Sequence, residues 1–107
     1  MKSTFVVLIA GLLLSAAATA GDVKNGNAYI KPVETDRFVI GGTPLGKNLL
    51  LARLQELKDS EHITGVVLRN ADKASGEHRH LLKVISEYLE IAAFTEDGKN
   101  LAPLVAE

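Results

Sequence analysis

The run Ile63 to Leu68, ITGVVL, constrains this chain more than any other stretch. Thr64, Val66 and Val67 are β-branched, Gly65 disfavours helix, and the run is too short for a buried helix. Helical patterns lie on either side of it. Such a segment reads as a central strand covered on both faces, the setting of parallel sheet in an α/β layer. The expected fold class is therefore α/β, a small, mostly parallel sheet with a β-α-β-α-β core. Everything after residue 36 reads as built to flank or extend that strand.

The flanking segments fill in this expectation. Arg37 to Gly41 reads as a strand stopped by Gly41-Gly42, and Thr43-Pro44 as a helix start, with Thr43 the N-cap and Pro44 the first helical residue. That helix is expected to reach about Lys58, with Leu45, Leu49, Leu50, Ala52, Leu54 and Leu57 forming a broad apolar stripe. Arg69 to Gly76 is the most polar loop and follows the central strand, at the edge where open α/β sheets bind ligands. A second helix, capped by Ser75 or Asp72, is expected from Glu77 to about Leu89, and Ile91 to Thr95 is read as a third parallel strand. Asp97-Gly98 marks a tight turn. The tail from Leu101 to Val105, interrupted by Pro103, reads as a return strand, a helix start or the stub of something longer.

Ahead of this domain, expected over residues 37–107, the chain divides again. Residues 1–20 have the form of a signal peptide: Lys2, a ten-residue apolar run from Phe5 to Leu14, and a small-residue cleavage site ending at Ala20. The apolar run falls short of the ~20 residues a membrane span needs. Cleavage would leave 87 of the 107 residues, and loss of Lys2 would take the formal net charge from −1 to −2. Eighty-seven residues suit one domain whose core is thin or completed by a partner. Residues 21–36 read as an N-terminal arm or edge strand, with a turn at Asn25-Gly26 and Pro32 suiting an edge. With no cysteine to staple the fold, a periplasmic or secreted bacterial protein is expected. No basic patch or arginine cluster suggests nucleic acid, and no membrane contact is expected after cleavage.

The candidate chemistry is sparse. His78 and His80 are two apart on a helix and do not share a face, so they read as solvated residues rather than metal ligands. Gly41 to Lys47 follows a strand and opens a helix, as a phosphate loop would, but Asn48 stands where a hydroxyl should hold magnesium, and Pro44 removes a backbone donor. Ser75 has His78 three residues on but no recognisable nucleophile elbow, so helix capping is its better account. No metal and no cofactor are expected. The ligand candidates are Asn70, Asp72, Ser75 and Gly76 of the polar loop, with Gly41 and Gly42 beside them.

The layout resembles the first half of periplasmic proteins related to the ClpP-like serine proteases. A strand ending in glycine, a helix, ITGVVL, a glycine-containing loop, a helix and a strand running into Asp97-Gly98 follow that order. In that family the loop after the central strand supplies an oxyanion hole, here matched by Arg69 to Gly76 with Ser75-Gly76 in place of a double glycine. Matching the family's nucleophile segment forward from Gly98 puts Ala102 at the serine and Asn100 and Leu104 at its flanking cysteines. The resemblance spans about residues 37–105 and implies a ClpP/crotonase-like half-domain without a nucleophile. Pro103 would also remove the N–H that follows the nucleophile in an oxyanion hole. The reading is thus a non-catalytic exported domain that contacts another protein or associates with itself through a sheet edge. The alternatives are a small-molecule binder at the C-terminal edge of the sheet, or a hydrolase remnant active only in complex.

Overall fold

The computed structural model describes residues 23–106. The expected leader lies outside the described residues. Seven strands form one sheet: β1 (Val23–Lys24), β2 (Asn27–Val33), β3 (Arg37–Ile40), β4 (Thr43–Leu45), β5 (Gly65–Leu68), β6 (Ala92–Asp97) and β7 (Asn100–Pro103). Two helices, α1 (Lys47–Glu61) and α2 (Gly76–Leu89), and a short 3-10 turn, Ala71–Lys73, complete the described chain. The main strand order is β4-β3-β2-β5-β6-β7, with β1 paired to β2.

ITGVVL supplies β5, in the interior of the sheet, with β2 parallel on one side and β6 parallel on the other. The expected parallel unit is therefore present, but the sheet as a whole is mostly antiparallel. The β1/β2, β2/β3, β3/β4 and β6/β7 pairings are all antiparallel. Tight turns impose this, because a two-residue loop can only join antiparallel neighbours. Asn25-Gly26 and Gly41-Gly42 have positive φ at both central residues, the backbone a type I′ hairpin requires, and Gly98 has φ +65°.

Two boundaries differ from the sequence reading. Thr43-Pro44 is strand, not helix start, and α1 begins at Lys47 after Gly46, which offers no side-chain cap. Pro44 is tolerated because β4 pairs only with β3, as an edge strand. Residues 27–33, read as arm or edge, lie inside the sheet between β3 and β5. Their lower half, Asn27 to Ile30, runs parallel to β5, and their upper half, Lys31 to Val33, runs antiparallel to β3. Pro32 sits in that upper half, where β2 pairs with β3 alone.

Among the described residues, the core fills one face of the sheet. Ala28, Ile30, Val66 and Leu68 join Leu50, Leu54 and Leu57 of α1 and Leu82, Ile85 and Leu89 of α2 in one buried cluster. Each of these valine, leucine and isoleucine side chains contributes about 1.5–3 kcal/mol by leaving water. Lys58 of α1 donates to the Leu89 carbonyl at the end of α2, and Glu90 closes that helix in the left-handed conformation, φ 61°. The expectation that β5 is covered by helices on both faces is thus corrected: this is a two-layer α/β sandwich.

Candidate functional site

Strand alternation sends Tyr29, Val67 and Phe94 to the face opposite the helices, and the register sets them side by side across β2, β5 and β6. Pro103 of β7 stands next to Phe94 in the same row. Val67 is completely buried although it lies outside the helix-side core, its neighbours in the row being two aromatic rings. Gly65 makes room for one of them: a Cβ there would meet Phe94 Cε2 at 3.0 Å and Asn27 Oδ1 at 2.4 Å. Packing an aromatic ring against a strand glycine restores contact that the missing side chain gives up.

The next row along the strands is charged. Lys31 on β2, Arg69 just past β5 and Glu96 on β6 follow one another, and Leu101 of β7 lies opposite Glu96 with 41% of its surface exposed. Arg69 Nε donates to Glu96 Oε1 at 3.1 Å, and its guanidinium sits 5.0 Å from the centre of the Tyr29 ring. These contacts hold a half-apolar platform that, among the described residues, no helix covers.

Two of the sheet's edge strands, β4 and β7, carry proline. In the two-residue hairpins that close β3/β4 and β6/β7, the first pair beyond each loop is hydrogen-bonded and the next is not. Val39 faces Pro44 and Glu96 faces Leu101 in such non-bonded pairs, as does Phe94 with Pro103. The nitrogens of Pro44 and Pro103 therefore point outward, where each free edge lacks a donor. This blunts β4 and β7 against strand addition.

The sequence-nominated ligand residues separate into three places. Asn70, in the left-handed region with φ 52°, and Asp72 line a cavity of about 760 Å³ with Thr95, Glu96, Asp97 and Gly98, beyond the C-terminal ends of β5 and β6. Ser75 and Gly76 instead begin α2. Gly41 and Gly42 form the β3–β4 turn, separated from β5 in the sheet by β2 and β3, and they do not line that cavity. Ala102 lies exposed on the edge strand β7, paired with Thr95.

Ser75 and His78 form a reciprocal cap. The Ser75 hydroxyl accepts from the His78 backbone N–H at 3.1 Å, while His78 Nδ1 accepts from the Ser75 backbone N–H at 3.0 Å. Ser75 Oγ lies 3.1 Å from that ring nitrogen but donates its proton to the Thr35 carbonyl at 2.7 Å. On the other side of the ring, Nε2–H faces the Val33 and Arg37 carbonyls, each at 2.9 Å. His78 is wholly buried with its ring 5.1 Å from that of Phe38, edge to face, which corrects its reading as a solvated histidine. A nucleophilic serine would give its proton to the imidazole, and here the imidazole acceptor already serves the backbone. Sequence reasoning missed this histidine because its partners are carbonyls of the β2–β3 turn, some forty residues earlier.

A second depression lies between the helices, about 460 Å³, lined by Leu51, Leu81, Val84, Ile85 and Tyr88 with Lys47, Glu77 and His80 among the polar residues. The apolar pattern of α2 extends to Val84 and Tyr88, yet they are 48% and 72% exposed. The helix turns Leu82, Ile85 and Leu89 to the sheet, and its remaining apolar residues border this groove. Among the described residues, no group of three or more His, Asp or Glu side chains converges as metal ligands would, and no helix is long and apolar enough to cross a membrane.

No family model, curated protein or solved structure matches this chain, so none of these comparisons connects it to the ClpP-like proteases.

Proposed function

We propose that this protein is a non-catalytic α/β contact module, and that the sheet face opposite the helices is its contact surface. The observation that supports this reading most is the row Tyr29, Phe94 and Pro103, apolar, at least partly exposed and lying over the buried Val67, bordered by a row that supplies Lys31, Arg69 and Glu96. An aromatic centre with a charged margin is the composition of protein interfaces. A domain of this size is helped by a partner that finishes its second layer. The outward prolines weigh against the sheet edges as the main surface. The chain's export, carried by the signal-like residues 1–20, belongs to the same proposal.

A second reading is favoured by the cavity beside Asn70 and Asp72, at the strand ends where open sheets bind small molecules. Its carboxylates, Asp72, Glu96 and Asp97, suit a polar, cationic ligand.

The discriminating experiment is photo-crosslinking in the producing cell. A benzophenone amino acid is placed at Lys31 or Leu101 on the sheet face, and at Lys83, an exposed residue of α2, as the control. Protein adducts are expected from the first two positions and not from the third. Adducts from Lys83 alone, or from none of the three, would overturn the reading.

A further inference from the structure

We infer that the occupant of the open sheet face is a second copy of this chain, related by a two-fold axis running along β5. The inference rests on the contact-module reading above and names its partner. It follows from the way the face maps onto itself. β2 and β6 flank β5 symmetrically, each about 5 Å away. An axis along β5 lays β2 of one copy over β6 of the other. Tyr29 then faces the partner copy's Phe94, and Lys31 faces its Glu96, each contact occurring twice. Val67 lies near the axis, buried beneath those rings.

The alternative in-plane axis, across the strands, places Lys31 over Asn27 and Glu96 over Ala92 of the other copy, and pairs no charges. The two orientations therefore differ by two ion pairs, and complementary charge fixes register at an interface. Arg69 faces its equivalent near the axis, but each guanidinium is already answered within its own chain by Glu96 and the Tyr29 ring. Arg69 engages Oε1 of Glu96, so the carboxylate's other oxygen is presented to the incoming Lys31. Two sheets meeting this way form a four-layer α/β/β/α sandwich with sheets about 10 Å apart.

Under the axis along β5, strands β2, β5 and β6 overlie one another, three strand spacings by three side-chain rows, roughly 300 Å² per copy in projection, below the ~800 Å² per partner of stable complexes. The expected dimer is accordingly weak and concentration-dependent.

The chain has no cysteine, so introduced thiols report without background. Full-length Lys31→Cys and Glu96→Cys chains, each carrying its own affinity tag, are produced separately and together and treated with a short bismaleimide. The axis along β5 predicts a crosslinked species of twice the chain mass in the mixture, and at least tenfold less from either variant alone. As a second measurement, Lys31→Glu or Glu96→Lys should abolish the concentration-dependent association, and the double charge swap should restore it. Equal crosslinking in all samples, no crosslinking at about 1 mM chain, the weak end of specific association, or a double swap that fails to restore would each overturn the second copy as occupant. Photo-crosslinked adducts from Lys31 and Leu101 that hold only a different protein would overturn it as well, while leaving the contact-module reading in place.

Discussion

At His78 both ring nitrogens are committed to backbone. One accepts from the start of α2 and the other donates to two carbonyls of the β2–β3 turn. A side chain able to do acid–base chemistry serves here as a cross-brace between elements far apart in sequence. Replacing it by alanine leaves the Val33 and Arg37 carbonyls without their donor and opens space beside Phe38. His78→Ala is expected to cost about 2–4 kcal/mol, read as a lower urea midpoint at constant slope. Sequence marks Ser75 as a cap because small hydroxyl residues before an apolar helix satisfy its first N–H groups. It cannot mark the histidine, whose value depends on tertiary carbonyls that no local pattern reveals. Asn70 and Asp72 were likewise legible as loop residues beyond the central strand. Their separation from Gly41 and Gly42 was not, since it depends on which strands intervene.

At the scale of elements, β5, α2 and β6 were legible because β-branched runs, periodicity and the Ser75 cap agree with one another. β4 was hidden by its own residues: Thr43-Pro44 suits a helix start as well as an edge strand, and only the pairing to β3 decides. The start of α2 offers a clean test of local energetics. Gly76 is its first residue, exposed, with ordinary φ and nothing within 4 Å of a Cβ built there. Gly76→Ala is expected to raise stability by about 0.4–1 kcal/mol, chiefly by restricting the unfolded chain, measured by the same denaturation. The edge strands carry a different expectation. Pro103→Val restores an outward donor to β7, and it is expected to increase higher-order association seen by light scattering, with the wild-type chain as reference. Unchanged scattering would mean that proline is not what guards this edge.

On the scale of the whole molecule, the unequal dressing of the two sheet faces organises the protein. Helices bury Val66 and Leu68 on one side, while Val67 between them depends on two aromatic neighbours. Sequence alone made β5 look equally covered on both sides because all four of its residues are apolar or glycine, and the pattern carries no sign of what lies above. The same arrangement bears on how the molecule assembles in time. The two flanks of β2 answer to different partners: β1 and β3 meet it across two- and three-residue turns, whereas the parallel pairing of Asn27 to Ile30 awaits β5, thirty-eight positions downstream. The hairpin pairings can close within microseconds, but the parallel pairing must wait until α1 has folded and β5 docks, against the slower closure of a long loop. As the chain folds, then, β2 has one flank zipped while the other stays open, and the docking of β5 sets when the second flank fastens.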